Sequence, residues 1–432
     1  MLQLLSLKTS GDLKSIIACS FFLLMVSGVN AQKPATKENN WRFMSYNGLV
    51  MTGYQGWFNA EGDGANRGWN HYTQGKTFEP GNTKVDYWPD VSDYAKTYKT
   101  AFKFKDGLPA YVFSSYDEST VDLHFKWMKE YAIDGAFMQR FVTTLMNPKG
   151  AKHYEKVLDA AVKAAKKYDR AISVMYDLSG MKPEDYTKVI EDWKQLINRY
   201  QFNRKEQYEN YLFHRRKPLV TIWGAGFNDG RKYGLKEVEK IVDFLKNDPV
   251  YGGCSVMLGV PTWWRELKFD TMDDPFLHTL IKKVDIVHPW FVGRYNDETY
   301  PGFKARIKDD IAWCSKEGLD YVPVVYPGFS WQNMRPNDAF DAIPRKKGQF
   351  LWNQLAGAIE AGASMIYVAM FDEIDEGTAI FKCAKEVPVG LSKFVPIEKE
   401  VPADHYMWLT GQASGMLKNE IPFQKEIPYR TY

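Results

Sequence analysis

The sequence predicts an α/β fold, and within that class a single (β/α)₈ TIM barrel with long loops after its strands. Apolar or β-branched runs of strand length alternate eight times with stretches of helical periodicity, which is typical of βα units around a parallel sheet. No internal repeat or low-complexity linker divides these units. A chain of 432 residues can also form one barrel domain of this kind.

The predicted elements follow one another along the chain with recognisable boundaries. Pro183 stands at the start of one helix candidate and Gly318 follows the end of another, which matches the usual positions of these residues. The predicted strands are 48–54, 135–141, 172–176, 219–223, 254–260, 286–290, 322–326 and 365–371. The predicted helices are 118–131, 154–168, 184–200, 235–245, 303–317 and 349–361, and the proline-containing tail from 387 onward is expected to wrap the barrel.

The N-terminal segment is typical of a cleaved export signal. Lys8 and Lys14 precede the apolar run 16–26, and Ala31 supplies a small residue at its end. This run is shorter than the roughly 20 residues that a membrane helix needs, and no later run reaches that length. We therefore expect residues 1–31 to be removed and residues 32–432 to form the barrel with its tail.

The expected location is periplasmic, cell-surface or secreted, without a membrane span. A lipoprotein anchor at Cys19 is the alternative. It is less favoured because the most apolar stretch, 21–26, follows that cysteine instead of preceding it.

The composition of the chain excludes some classes of binding partner and favours others. The formal net charge of +3 is nearly balanced and no basic run stands out, which argues against a nucleic-acid partner. Beyond the signal, Cys254, Cys314 and Cys383 have no C-x-x-C spacing, so neither a disulfide framework nor a zinc site is indicated. The 14 Trp and 26 Tyr suit a protein that binds sugar rings, and composition alone also permits a lectin.

In a barrel of this type, the functional side chains lie at the C-terminal ends of the strands. Nearly every predicted strand end offers an aromatic ring beside a polar group, which is the composition of a carbohydrate cleft. Each aromatic could instead be a packing residue, each histidine could be structural, and an aspartate could cap a turn. The candidate substrate contacts are Tyr54, Trp57, His71, Trp88, Arg140, Asp177, Trp223, Trp263, His288, Trp290, Tyr326 and Trp331.

Four acidic residues follow the eighth predicted strand directly. Asp372, Glu373, Asp375 and Glu376 occupy five consecutive positions and are closed by Gly377. Cleavage of a glycoside needs two carboxyl groups with different tasks, and crowding separates the pKa values of neighbouring carboxyls. A solvated charge run and a calcium site are the alternatives, although the spacing does not fit an EF-hand.

The run Asp-Glu-Ile-Asp-Glu-Gly-Thr at 372–378 resembles the E-x-x-E-G-T element of glycoside hydrolase family 99, which comprises endo-α-mannosidases and endo-α-mannanases on (β/α)₈ barrels. The runs 51–58 and 69–71 are similar too. The resemblance implies that Glu376 protonates the departing oxygen and later serves as base for water. It implies that Glu373 deprotonates the sugar 2-hydroxyl, so that a 1,2-anhydro sugar forms and opens with net retention. Asp372 joins the candidate substrate contacts.

The match departs from the family where Ile374 and Asp375 replace the Trp and His of W-N-E-W-H-E-G-T. Mannan specificity therefore does not carry over, and the chain is closer to a bacterial 71/99-like branch, some members of which are labelled xylosidase/arabinosidase. The resulting prediction is an exported glycoside hydrolase acting on an α-linked polysaccharide or oligosaccharide, monomeric and without cofactor or metal. Two alternatives stay open: a catalytically silent glycan-binding barrel, and a metal-dependent hydrolase using His71, His288 and the acids.

Overall fold

The computed structural model describes residues 42–430, so the predicted export signal and Cys19 lie outside the described residues. No helix between residues 42 and 430 is long and apolar enough to cross a membrane. The strands are β1 Val50–Tyr54, β2 Tyr98–Lys103, β3 Pro109–Val112, β4 Gly135–Phe141, β5 Ala171–Asp177, β6 Phe213–His214, β7 Lys217–Trp223, β8 Ser255–Val260, β9 Ile286–Pro289, β10 Asp320–Tyr321, β11 Val324–Val325 and β12 Ile366–Val368.

Nine α-helices occur in the described range, and short 3₁₀ turns at Pro183–Asp185 and Lys346–Gly348 precede two of them. The helices are α1 Glu118–Glu130, α2 Val142–Leu145, α3 Pro148–Tyr168, α4 Tyr186–Tyr200, α5 Leu235–Asn247, α6 Phe276–Ile281, α7 Tyr300–Lys316, α8 Gln349–Glu360 and α9 His405–Leu417. All six predicted helices are present, and α2, α6 and α9 were not predicted.

The parallel strands close into a ring of eight positions. Their order is β10-β9-β8-β7-β5-β4-β1-β12-β11, and the two end strands, β10 and β11, are separated in the chain only by Val322 and Pro323. The Val322 amide donates to the Val287 carbonyl at 3.0 Å, whereas the Pro323 carbonyl accepts from the Tyr367 amide at 3.1 Å. Pro323 has no N–H to continue the ladder. Thus β10 and β11 are one interrupted strand that joins β9 to β12.

This ring confirms the predicted (β/α)₈ class, with all eight predicted strands in place to within a few residues. Every residue of β1, β5 and β8 is buried, as expected for strands covered on both faces of a parallel sheet. The antiparallel hairpin β2–β3 is an addition that was not predicted. It lies within the long insertion after β1, where β2 alternates regularly between buried and exposed positions.

The C-terminal tail contributes a helix to the barrel. Helix α9 packs against α8 and β1 and so takes the eighth helical position. The Asp134 carboxylate, just before β4, accepts hydrogen bonds from the Val50 amide at 2.9 Å and the Ser414 hydroxyl at 2.8 Å, and it also pairs with Lys418. One buried carboxylate therefore connects α9 to the start of the first strand.

Gly411 allows α9 to pack closely against the end of α1. A Cβ at this position would lie 1.9 Å from the Tyr131 carbonyl oxygen at the end of α1. We expect Gly411→Ala to lower the free energy of unfolding by about 1–3 kcal/mol, because α9 must move away from α1. Urea denaturation measures this change. Gly302→Ala in α7, where no atom lies within 4 Å of the added Cβ, is the matched control and should leave stability unchanged or slightly higher. Equal effects of both substitutions would contradict the packing argument.

Candidate active site

The end of the eighth strand is joined to the end of the first by Asp372. Its Oδ1 accepts a hydrogen bond from the Gln55 amide and its Oδ2 accepts one from the Gly56 amide, both at 2.8 Å. The side chain is completely buried, and burial raises its pKa to about 7. Because both oxygens face the backbone of residues 55 and 56, Asp372 positions the acidic loop, residues 372–378. Its predicted contact with substrate gains no support from this geometry and stays a prediction.

Glu373 is held on both carboxyl oxygens. Oε1 accepts from the Gln55 Nε2 at 3.0 Å, and Oε2 accepts from the Thr378 hydroxyl at 3.1 Å. The residue is almost completely buried. Burial raises its pKa well above the usual range, and the nearby charges of Glu376 and Asp375 raise it further. Glu373 is therefore a fixed carboxyl with a defined direction.

Glu376 differs from Glu373 in being partly exposed. Among residues 42–430, no hydrogen bond holds its carboxyl group, although its backbone carbonyl accepts from the Ser330 amide at 3.1 Å. Partial withdrawal from water and the charge of Asp375 raise its pKa to about 8, while Arg335 opposes the shift. A carboxyl group that stays protonated at neutral pH and reaches solvent can protonate a leaving oxygen.

Asp375 forms a small stack with two residues of the first βα loop. Its Oδ2 lies 3.1 Å from the Nδ1 of His71, and the His71 ring lies on Trp57 with ring centroids 3.7 Å apart and planes 7° apart. Burial raises the pKa of Asp375 to about 7 and lowers that of His71 well below its usual range. The other oxygen of Asp375, Oδ1, is buried without a hydrogen-bond partner among the described residues. The substitution at this position therefore places a carboxylate between the first loop and the two glutamates.

The turn that closes the acidic loop requires glycine. Gly377 has a φ of 68°, and a Cβ there would lie 2.9 Å from the Ser330 amide nitrogen and 3.0 Å from the Tyr87 ring. Arg345 donates to the carbonyls of Gly377 and Ala379 at 2.9 and 2.7 Å. Its guanidinium also lies over the ring of Tyr87, 4.1 Å from the centroid. Arg345 was not predicted from the sequence, since it lies in a loop without a motif.

Arg140 does not reach the strand-end opening. In β4 the side chains alternate between the two faces, so Gln139 points into the barrel, where its Nε2 lies 3.2 Å from the Tyr367 hydroxyl. Arg140 points outward and pairs with Asp192 on α4 through two of its nitrogens. The Asp192 carboxylate also accepts from the Tyr176 hydroxyl at 2.7 Å. Arg140 therefore joins a helix to the sheet, and its predicted role in substrate binding gains no support from this position and stays a prediction.

Four aromatic candidates are packing residues in this structure, and their predicted contact with substrate stays a prediction that their burial does not support. The Tyr54 hydroxyl lies 2.8 Å from the Nδ1 of His124, and the Trp88 indole donates to the Tyr111 carbonyl at 3.1 Å. Tyr326 donates to the Tyr295 carbonyl. His288 lies below Tyr367 with ring centroids 4.5 Å apart. The residues concerned are Tyr54, Trp88, His288 and Tyr326, of which none is more than 1% exposed.

The remaining candidates lie where substrate contact is possible, and their binding roles stay predictions. Asp177 is the last residue of β5 and is aligned with Trp223 of β7; burial raises its pKa to about 6. Trp223 and Trp290 are partly exposed, and their rings meet edge to face at 5.3 Å. Trp57 and Asp177 are buried, each 8% exposed, and the partly exposed members of the set are His71, Trp223, Trp263, Trp290 and Trp331.

Comparisons with known proteins show what this chain is similar to. No family model matches the chain. The glycoprotein endo-alpha-1,2-mannosidase of Rattus norvegicus is 20% identical over 372 residues, which are 82% of this chain and 72% of the relative. The Mus musculus enzyme of the same name is 21% identical over 351 residues, which are 76% of this chain and 66% of the relative.

Among solved structures, the family 99 endo-alpha-mannosidase of Bacteroides thetaiotaomicron superposes with a TM-score of 0.61 at 15% identity, covering 86% of this chain and 98% of that one. This chain is thus similar to family 99 endo-alpha-mannosidases over most of its length, and it shares their fold. The predicted resemblance to glycoside hydrolase family 99 is thereby confirmed for the chain as a whole. A glycoside hydrolase-like protein also shares the fold, with a TM-score of 0.51 at 12% identity.

The family 99-like loop leads to a pH prediction. If Glu376 is the acid, activity should fall as pH rises through its pKa of about 8. Ionised Asp375 raises that pKa, so Asp375→Asn should lower it and move the basic limb of the kcat/KM profile to lower pH. Arg335 and Asp177, the other charges acting on Glu376, are unchanged in this variant.

The control for this experiment is Asp309→Asn, which removes an exposed carboxylate from α7 and should leave the profile unchanged. A basic limb that stays in place in Asp375→Asn would show that Asp375 does not tune the acid.

Proposed function

We propose that this chain hydrolyses α-linked glycans with net retention, using Glu376 as acid and base and Glu373 as the base on the sugar 2-hydroxyl. The observation that carries the proposal is the different environment of the two glutamates. Glu373 is fixed by hydrogen bonds to both of its oxygens, whereas the carboxyl of Glu376 is unbound and partly exposed. The two tasks of glycoside cleavage need such a difference.

In the first step, the 2-hydroxyl transfers its proton to Glu373 and its oxygen bonds to the anomeric carbon. The bond from that carbon to the leaving oxygen breaks, and the leaving oxygen takes the proton of Glu376. In the second step, water gives a proton to Glu376 and attacks the anomeric carbon. The bond from that carbon to the 2-oxygen breaks, and the 2-oxygen regains its proton from Glu373. Two inversions at the anomeric carbon give retention.

The substrate class is proposed from the relatives. Their names specify an endo-acting α-1,2-mannosidase of glycoproteins, so α-mannose-containing oligosaccharides are the first substrates to test. Ile374 and Asp375 replace two residues of the family element, and we therefore propose the α-linkage and not the individual sugar. The barrel with partly exposed tryptophans is equally suited to the alternative, a silent glycan-binding protein.

The metal-dependent alternative gains no support from the site. His288 is fully enclosed, and among residues 42–430 no group of three or more His, Cys, Asp or Glu side chains is arranged to hold a metal ion.

Separate substitutions test the two roles. We expect Glu376→Gln to slow cleavage of natural glycans by about 100- to 10,000-fold, and to slow a substrate with an activated leaving group, such as a glycosyl fluoride, much less, because that group departs without an acid. Glu373→Gln should slow both substrates. Initial rates on each substrate measure this difference. Glu206→Gln, at an exposed position remote from the barrel opening, is the control. Normal turnover in both variants would refute the assignment, and binding without turnover in the wild type would favour the silent protein.

Participation of the 2-hydroxyl is tested on the substrate. We expect a 2-deoxy analogue of any glycan that the enzyme cleaves to be inert as a substrate while still binding, because no oxygen is present to attack the anomeric carbon. Proton NMR of the first product from the intact glycan should show the original anomeric configuration. An inverted first product, or efficient cleavage of the 2-deoxy analogue, would exclude this route.

A further inference from the structure

A basic cavity lies beside the catalytic loop. It has a volume of about 490 Å³, and its walls include Arg67, Lys76 and Lys84 together with Asn70 and Gln74, but no aspartate or glutamate. A second cavity of about 360 Å³ shares Arg67 and Asn70 with it and adds Lys149, again without a carboxylate. Four cationic side chains therefore line two adjoining spaces without an acidic residue among the lining groups.

These cations have no ionic partner in the described part of the chain. Arg67, Lys76, Lys84 and Lys149 have no carboxylate within 4.0 Å among the described residues, whereas the buried Arg140 is paired with Asp192. The guanidinium of Arg67 donates only to the Asn59 amide oxygen, at 3.0 Å. Four uncompensated positive charges side by side repel one another, so an anion would stabilise this arrangement.

The carboxylate of Asp63 lies near Arg67, but it already accepts hydrogen bonds from other groups. Asp63 accepts hydrogen bonds from the Ser114 hydroxyl at 2.7 Å, from the Asn59 Nδ2 at 2.8 Å and from the Ala65 amide at 2.7 Å. Arg67 is partly buried, and this burial lowers its pKa. Withdrawing a guanidinium from water is unfavourable unless a counter-charge compensates it, and the described residues provide none in contact.

The basic cavity is connected to the catalytic carboxyls through His71. This residue lines the cavity and also contacts Asp375, the direct neighbour of Glu376 in the chain, at 3.1 Å. A group bound among Arg67, Lys76 and Lys84 would therefore lie next to the sugar that is cleaved. Long-range attraction to the acidic loop is the competing explanation for these cations, because Lys84 lowers the pKa of Asp375.

We propose that the basic cavity binds an anionic substituent of the glycan substrate, a compact oxyanion such as a phosphate, sulfate or carboxylate. This inference rests on the proposed function in taking a glycan as the ligand. Arg67 supplies a planar fork of donors that suits an oxyanion, and the two lysines supply mobile point charges. The amides of Asn70 and Gln74 provide neutral donors at the same wall.

The test compares pairs of α-linked oligosaccharides that differ only in a phosphate, a sulfate or a uronic carboxylate. Binding is measured by calorimetry on the full chain carrying Glu376→Gln, so that no cleavage interferes. We expect at least one charged member to bind about tenfold more tightly than its neutral parent, and less so at high ionic strength. The charged ligand that gains most identifies the oxyanion.

Two substitutions and one control locate the effect. Lys84→Ala and Arg67→Gln, each in the Glu376→Gln background, should reduce the ratio of charged to neutral affinity by about tenfold. Lys308→Ala, which removes an exposed and unpaired lysine from α7, should leave that ratio unchanged. Equal losses for charged and neutral glycans would mean that the cations only balance the acidic loop, and the absence of any preference in the parent protein would also overturn the inference.

Failure of this inference and failure of the proposed function give different results. Charged glycans that bind to the cavity but are never cleaved by the wild-type protein would refute the hydrolase and leave the basic cavity as a binding site. Neutral glycans that are cleaved, with no preference for a charged form, would keep the hydrolase and reject the anionic substrate.

Discussion

The position of the acidic loop depends on one carboxylate, Asp372, and on the two backbone amides that donate hydrogen bonds to it. Because the hydrogen bonds come from residues 55 and 56, they fix the end of the eighth strand against the end of the first. Glu373 is the next residue and takes its own hydrogen bond from the Gln55 side chain. The seam of the barrel and the orientation of Glu373, the proposed base, thus share one set of contacts. A carboxylate is well suited to this position because it can accept two backbone N–H groups at once.

From this seam the loop is held at successive points on different elements. The Ile374 carbonyl accepts from the amides of residues 86 and 87, the Glu376 carbonyl accepts from Ser330, and Arg345 holds the Gly377 carbonyl. These contacts come from the insertion after β1 and from the loop after β11. The backbone of Glu376 is therefore fixed while its side chain is not. Such a division lets one short segment provide one carboxyl that is held by hydrogen bonds and another that is not.

Much of the fold could be predicted from the sequence because buried parallel strands are continuous apolar runs, as in β5 and β8, and they are separated by amphipathic helices. Helix α9 could not, since a largely apolar segment lacks a diagnostic period, and the hairpin β2–β3 could not because its strands are only six and four residues long. The acidic pair was predictable from its position after a strand. The contacts of individual side chains were not predictable. Gln139 and Arg140 are adjacent and both polar, and only the alternation of side chains along β4 decides which one faces the interior. Tyr54 and Trp88 show the same limit for aromatic residues, whose burial depends on partners distant in the chain.

Asp375, one of the two residues that depart from the family element, changes the electrostatics of the site. With a carboxylate at Asp375, a third acid lies beside the two glutamates, and its proximity favours the protonated form of Glu376. The same carboxylate contacts His71, which is stacked on Trp57 and also lines the basic cavity. Burial keeps this imidazole neutral, because it lowers the pKa of His71 well below the usual range. Lys84, in the same cavity, acts on the carboxylate at longer range and opposes the rise in the pKa of Asp375 that burial causes. The replacement at Asp375 therefore couples the protonation of the neighbouring glutamates to the charge in the basic cavity.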